Sequence, residues 1–216
     1  MTIRLADADA RALEAFCRRQ LRWDATLPGR VVSTPNALGV FTAPPLGVLV
    51  FVAVPADGVD RPVDATVSLA GLADALRDHP EDLDLDRLAR ATIPPSPAPS
   101  LNHLPPAGGW QLPITALSGD LVPLVEAATR EFAGRAAGSA PREQQEVAEE
   151  IWSRPGFGGL PIRALHAARQ LGMLPADSSR IAAATSGQWR RLSTSRGQVF
   201  SYASGPAARL ALQLVR

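Results

Sequence analysis

The chain has 216 residues, of which 46% are hydrophobic and 20% charged, so it is long enough for one large domain or two small ones. Its net charge of +1 is unevenly distributed: residues 1–150 hold 13 arginines against 20 acidic residues (net −7), and residues 151–216 hold nine arginines against one acid, Asp177 (net +8). The longest apolar run, residues 46–54, is much shorter than the roughly 20 residues of a membrane-spanning helix, and the first residues are unlike a secretion signal. We therefore expect a soluble, cytoplasmic protein without a membrane partner.

The first 60 residues predict one helix followed by three strands. Apolar residues at helical spacing predict a helix over residues 6–21, with the single cysteine, Cys17, on its buried face. Strands are expected at residues 31–33, 38–42 and 48–54, with a turn at residues 44–47. The third strand is apolar throughout, which predicts burial on both of its faces.

A proline-rich segment divides the chain. Ser68 is expected to cap a short helix that ends at His79, and a second short helix is expected near residues 83–91. Six prolines then fall within residues 94–109, a composition typical of an extended connector. The predicted organisation is an acidic part over residues 1–93, a linker over 94–109 and a helical and basic part over 110–216. The linker either separates two domains or lies across the surface of one.

The second part predicts a strand, several helices and a final hairpin. The strand is expected at residues 110–116, and Asp120 is expected to cap the helix that follows. Pro141 and Pro161 are expected to open the next two helices, the second ending at Gly172. Residues 189–194 and 198–202 flank a turn and predict a β-hairpin.

A weak similarity within the chain is compatible with a repeated unit of a helix and a meander, but chance similarity in a composition of low diversity is the favoured explanation. Residues 30–34 (Arg-Val-Val-Ser-Thr) resemble residues 191–194 (Arg-Leu-Ser-Thr), and a stretch containing Gly, Val and Phe follows each. The predicted fold class is α+β, with antiparallel β-meanders packed with helices. It allows two pseudo-similar halves joined by the proline-rich strap.

Residues 161–203 permit two interpretations. Ala168 and Gly172 have the spacing of the packed alanine and turn glycine of a helix-turn-helix, Ile181 suits a second helix, and the hairpin would form a wing with Arg196 at its tip. Over these residues the chain resembles the winged helix family, which implies DNA binding. The favoured alternative is a three-stranded meander in which residues 177–186 form a strand instead of a helix.

Neither an acidic nor a glycine-rich motif provides a specific ligand signal. Residues 82–86 alternate aspartate and leucine, but Arg87 and Ile93 stand where a calcium loop requires glycine and glutamate, so a solvated helix start is favoured. Residues 156–159 (Gly-Phe-Gly-Gly) precede a helix but lack the residues of a phosphate loop, which favours a joint between helices. The sequence predicts no catalytic residue, metal ligand or cofactor.

The candidate contact residues lie in the basic tail. Arginines there are expected to bind an anion, a nucleic acid or a protein partner, and two tryptophans are candidates for an interface. These residues are Arg180, Arg190, Arg191 and Arg196, with Trp152 and Trp189.

Three functional hypotheses follow from these features. The first is a non-enzymatic binding or accessory protein that associates with itself or a protein partner through an acidic N-terminal half and a basic C-terminal half. The second is a nucleic-acid-binding regulator that uses residues 161–203. The third is an enzyme without a readable motif. The use of arginine without any lysine indicates a bacterial genome rich in G and C.

Overall fold

The computed structural model describes residues 2–95 and 101–203 and divides into two compact units. Unit 1 comprises Met1–Leu104 with Arg196–Gln198, and unit 2 comprises Pro105–Ser195 with the residues from Val199 onward. The helices of the described residues are α1 (Asp7–Leu21), α2 (Leu69–Asp78), α3 (Leu85–Arg90), α4 (Ser118–Ala136), α5 (Pro141–Ser153) and α6 (Ile162–Gln170). The strands are β1 (Thr2–Ile3), β2 (Pro28–Thr34), β3 (Ala37–Thr42), β4 (Leu49–Pro55), β5 (Asp64–Ser68), β6 (Leu83–Asp84), β7 (Gln111–Leu117), β8 (Arg180–Ser186), β9 (Trp189–Thr194) and β10 (Gly197–Tyr202). The predicted α+β class with antiparallel meanders and packed helices is confirmed.

Unit 1 is built on four antiparallel strands in the order β5-β2-β3-β4. Val31 lies opposite Val40, and Val40 lies opposite Val52, so their side chains share one face of the sheet, where all three are buried. The helices α1 and α2 pack against each other, and α1 also contacts β4. Ser68 caps α2 as expected, because its hydroxyl accepts a hydrogen bond from the Gly71 amide.

One polar pair lies inside the core of unit 1. Gln20 on α1 and Thr42 on β3 are both fully buried, and the Thr42 hydroxyl donates a 2.7 Å hydrogen bond to Gln20 Oε1. Cys17, one helical turn before Gln20, is buried as predicted, and burial raises the pKa of its thiol to about 12. The thiol is therefore protonated at neutral pH and unsuited to nucleophilic chemistry.

Strand β4 is not buried on both faces. Val50 and Val52 are buried, but Phe51 between them is partly exposed and Ala53 is exposed. The continuous apolar sequence therefore does not indicate a fully covered strand. Phe51 instead lies across Gly39 of β3, where any Cβ atom would collide with its ring, and it stacks on Phe41 with ring centroids 4.4 Å apart.

The proline-rich segment is held against the sheet of unit 1 at Leu101. The Leu101 side chain is buried, and its carbonyl oxygen accepts a 2.8 Å hydrogen bond from the Arg30 guanidinium. The Nε and Nη2 atoms of Arg30 also donate hydrogen bonds to the Asp64 carboxylate, at 2.6 and 2.7 Å. These bonds hold the chain at Leu101 against the sheet of unit 1, whereas residues 96–100 lie outside the described residues.

Unit 2 has four strands in the order β10-β9-β8-β7 and the helices α4, α5 and α6, which pack against one another. Asp120 does not cap α4, because the helix begins earlier, at Ser118. The amides of Ser118 and Gly119 donate to the carbonyl oxygens of Ser179 and Asp177, so backbone from the approach to β8 satisfies the start of the helix.

The two units share a helix followed by a three-stranded meander, which agrees with the repeat and not with the favoured explanation by chance. In unit 1 the meander is β2-β3-β4 and β5 lies beside β2; in unit 2 it is β8-β9-β10 and β7 lies beside β8. Residues 30–34 and 191–194, which are similar in sequence, nevertheless do not occupy equivalent strands. They pair β2, the first strand of one meander, with β9, the second strand of the other.

The winged-helix interpretation is wrong. Residues 180–186 form strand β8, and no helix occurs between α6 and β8 in this described stretch. Ile181 packs its side chain in a sheet core, not in a second helix. Pro175 and the Asp177 side chain, which accepts the Ser179 amide, favour a turn at this point over a helix start.

Candidate interaction surface

The sheet of unit 2 places two of the predicted arginines on opposite faces. In the register of β8 and β9, Thr185 lies opposite Arg190 and Ala184 lies opposite Arg191. Arg190 lies on the same side as a short 3₁₀ turn (Phe157–Gly159), since a Cβ atom at Gly159 would be 3.4 Å from Arg190 Nε. Arg191 lies on the other side. One flat contact surface therefore includes either Arg190 or Arg191, but not both.

Arg191 lies over one ring of a cluster of four aromatic side chains. Its guanidinium carbon lies 4.3 Å from the centroid of the Trp110 ring, within the range of a cation–π interaction. The Trp110 ring contacts Phe200 at 5.8 Å, and Trp189 contacts Phe200 at 6.5 Å and Tyr202 at 5.1 Å, between ring centroids. We call this set the Arg191 face: Trp110, Trp189, Arg191, Phe200 and Tyr202.

The Arg191 face is partly covered and carries an uncompensated charge. Phe200 and Trp189 are buried, whereas Tyr202 is 45% exposed. Arg191 Nε is buried and has no hydrogen-bond partner among the residues that the structure describes. Burial lowers the pKa of Arg191, because an apolar environment disfavours its charged form. An anion at this position would compensate the charge.

The other predicted arginines occupy different settings. Arg180 is exposed at the start of β8, and Arg196 is exposed in the turn between β9 and β10. Within the described part of the chain, neither Arg180 nor Arg190 forms an ion pair. Arg191 and Trp189 thus share one face of β9, and Arg180 lies on the same side of the sheet at the start of β8. Arg190 lies on the opposite side, and Arg196 lies in the turn.

Three further arginines of the basic tail are paired within unit 2. Arg154 binds Glu131 of α4 and Glu150 of α5, each at 2.7 Å. Arg163 and Arg169 of α6 bind Glu149 of α5 and Glu126 of α4, at 2.8 and 3.6 Å. These glutamates belong to residues 1–150, the acidic part of the sequence, yet they form ion pairs with arginines of residues 151–216 within unit 2.

The charge difference is smaller when the chain is divided after residue 104, because the acidic residues at 105–150 then count with the basic tail. Residues 1–104 hold 10 arginines against 13 acids (net −3), and residues 105–216 hold 12 arginines against eight acids (net +4). The contrast remains, with unit 1 acidic and unit 2 basic, but it is about half of the contrast obtained by dividing the sequence at residue 150.

Trp152, the other predicted interface tryptophan, packs between helices. Its ring centroid is 5.7 Å from that of Phe132 on α4 and 4.5 Å from that of His166 on α6. His166 Nδ1 is buried without a hydrogen-bond partner in the described residues, and burial lowers the pKa of its imidazole. Trp152 is half-buried and serves the packing of α5 against α4 and α6.

Sequence reasoning did not identify the exposed apolar side chains of β7 and α4. Ile114 and Leu117 of β7 are 47% and 42% exposed, and Leu124 of α4 is 41% exposed. A possible signal was Pro113, since proline inside a strand is typical of a sheet edge. The pairing of Trp110 with Arg191 had no local signal, because the two residues are far apart in the chain.

The acidic and glycine-rich motifs have structural roles. Asp84 accepts the Arg87 amide at the start of α3, and Asp86 binds Arg61 at 2.7 Å. The amides of Gly156 and Gly159 donate to carbonyl oxygens of the same loop. In the described residues, no group of three or more His, Cys, Asp or Glu side chains could hold a metal ion, and no helix is long and apolar enough to cross a membrane.

Comparisons with known proteins give a fold but no established activity. Residues 1–94 match the model of a domain of unknown function (DUF8010), and residues 105–206 match that of another (DUF8185). No curated protein matches the sequence. Solved structures match its fold over the whole chain. A DNA polymerase sliding clamp from Pseudomonas aeruginosa has 13% identity and a TM-score of 0.54, and this chain covers 68% of its length.

The fold resembles that of a DNA sliding clamp. A beta sliding clamp from Caulobacter crescentus matches with a TM-score of 0.57 at 13% identity, and the DNA polymerase III beta subunit of Thermotoga maritima with 0.55 at 10%. The whole of this chain aligns in both comparisons and covers 68% of each clamp chain. Identities this low establish the sliding-clamp-like fold alone.

Proposed function

We propose that this protein is a non-enzymatic accessory protein of the cytoplasm that acts by association, first with further copies of itself. The observation that carries the proposal is the similarity to sliding clamps over all of this chain, at a TM-score of 0.57. Proteins with this fold include a beta sliding clamp and a beta subunit of DNA polymerase III, as their names state.

Open sheet edges support self-association. Among the described strands, β5 of unit 1 pairs only with β2, and β7 of unit 2 pairs only with β8. An open edge presents unpaired amide and carbonyl groups that can pair with another chain. Two different edges on one chain favour head-to-tail contact, which forms a ring when the rotation between copies closes.

The exposed side chains of β7 provide a direct test. Leu117 and Leu124 are almost equally exposed, at 42% and 41%, but Leu117 lies on the edge strand and Leu124 on α4. We expect Leu117→Arg to shift the full chain toward monomer in sedimentation velocity, because a charge on an edge disfavours pairing. The matched variant Leu124→Arg should associate as the unchanged protein does. A wild-type chain that stays monomeric at all concentrations would contradict the proposal.

Nucleic-acid binding is the second candidate, supported by the clamp-like fold and by the arginines without ion pairs in β8 and β9. Its test is the fluorescence anisotropy of labelled duplex and single-stranded DNA with the full chain, from about 50 to 200 mM salt. Arg196→Ala is expected to weaken binding and to reduce the salt slope by about one. Unchanged affinity would remove the β9–β10 turn from the interface.

A further inference from the structure

Arg191 is a charged group in an environment that does not neutralise it. Its guanidinium lies over Trp110, its Nε is buried without a hydrogen-bond partner in the described residues, and no carboxylate is paired with it there. The Arg191 side chain as a whole is half-buried, and partial loss of solvation around a charge is unfavourable unless a charged partner with hydrogen bonds offsets it. The Arg191 face is therefore suited to a group that brings a negative charge.

The surroundings favour a single carboxylate over a polyanion. The guanidinium lies over an aromatic ring, and its nearest neighbours on the same side of β8 and β9, Ala182, Ala184 and Ser193, are uncharged. Arg180 shares this side of the sheet but lies four residues along β8 from Ala184. A nucleic acid is held by several cations that contact successive phosphates, and Arg190 lies on the other face. Tryptophan, tyrosine and arginine are also the residues that dominate protein–protein interfaces.

We infer that the Arg191 face binds a carboxylate from unit 1 of a second copy of this chain, an inference that rests on the proposed self-association. Unit 1 has the complementary charge, because its residues, Arg196 included, carry 13 acids against 11 arginines. It also offers exposed carboxylates that form no ion pair with described residues: Asp57, Asp60, Glu81 and Asp82. The contact joins the basic unit of one copy to the acidic unit of the next.

The test compares Arg191→Gln with Arg190→Gln in the full chain by sedimentation velocity. The two positions are adjacent on β9 but face opposite sides, so they form a matched pair. Loss of one partner of a partly buried charge pair weakens association strongly, and we expect Arg191→Gln to raise the dissociation constant by about tenfold or more. Arg190→Gln should leave it unchanged. Tryptophan emission and the thermal midpoint show whether each variant keeps its fold.

Charge exchange keeps the inference falsifiable if Arg191→Gln fails to fold. Arg191→Glu is mixed in turn with chains carrying Asp57→Arg, Asp60→Arg, Glu81→Arg or Asp82→Arg, and one mixture is expected to regain association that Arg191→Glu alone lacks. If the wild type associates and neither Arg191 variant changes this, the inference fails while the proposed function stands. A wild type that is always monomeric removes both. Weaker DNA binding by Arg191→Gln with unchanged self-association would assign the face to nucleic acid and overturn the inference.

Discussion

At the scale of single residues, Gly158 is where backbone conformation and packing combine. Its φ angle is +64°, in the left-handed region that favours glycine, and a Cβ atom there would overlap the Cβ of Ala183 on β8. The close approach lets the 3₁₀ turn lie against the sheet of unit 2. Only a residue without a side chain satisfies both requirements.

We expect Gly158→Ala to lower the free energy of unfolding by about 1–3 kcal/mol, because strain and overlap both act on the folded state. The measurement is chemical denaturation of the full chain. Gly134→Ala is the matched control, since Gly134 lies inside α4 with nothing within 4 Å of its added Cβ. That variant should be neutral or slightly stabilising, because alanine favours a helix. Equal effects at both positions would contradict the assignment.

His166 gives a prediction about pH. Burial lowers the pKa of its imidazole in the folded state, so the unfolded chain binds the proton more readily. The stability that depends on neutral His166 is complete above the ordinary pKa of 6.5 and is lost as the pH falls through the lower folded value.

The expected result is a fall in the urea midpoint between about pH 8 and pH 5 that is smaller in His166→Gln. The comparison uses the change of the urea midpoint with pH in each protein. The midpoint at a single pH is not compared, because His166→Gln also loses the contact with Trp152. His79, which is exposed at the end of α2, provides the control as His79→Gln. A pH response that is the same in His166→Gln and wild type would exclude this role.

At the scale of elements, a four-membered ion network joins α4 to α5. Arg135 binds Glu131 at 3.0 Å and Glu150 at 2.6 Å, and Arg154 binds the same two carboxylates at 2.7 Å each. Arg135 and Arg154 hold the pKa of Glu150 down at about 2. Each carboxylate therefore pairs with one arginine four residues further along the chain and with one arginine from the other helix or its end.

We expect Arg135→Gln and Glu150→Gln each to lower the thermal midpoint slightly, and the double variant to lose less than the sum, because both remove the same contact. The effect is modest, since the groups are exposed to solvent. With the folded pKa of Glu150 below 4.5, this contribution is present above that pH and is lost toward pH 2. Arg142→Gln, which breaks only a pair within α5, is the control. Strict additivity would argue against a shared network.

At the scale of the whole molecule, the charge contrast between the units makes a prediction about salt. Unit 1 is acidic and unit 2 basic, so head-to-tail contact brings opposite charges together. We expect association of the full chain to weaken as salt rises from about 50 to 500 mM, because screening shortens the range of exposed charges. Sedimentation equilibrium measures the dissociation constant. A constant that does not change with salt would indicate an interface held by apolar contact and strand pairing alone.

The domain boundaries at residues 93 and 110 and the four contact arginines remain predictions. The structure nevertheless adds geometry to both, since Leu101 is held by Arg30 and since Arg190 and Arg191 lie on opposite faces.

The sequence by itself determined the local elements of this protein, because helical and strand periodicities, capping residues and prolines act over a few residues. The alternation of Arg190 and Arg191 and the hairpin after Trp189 could be predicted in this way. Only the tertiary structure decided which charged residues contact which partners. The stacking of Arg191 on Trp110 and the binding of Arg154 to Glu131 join residues from different elements, and such contacts depend on packing that no short sequence pattern encodes.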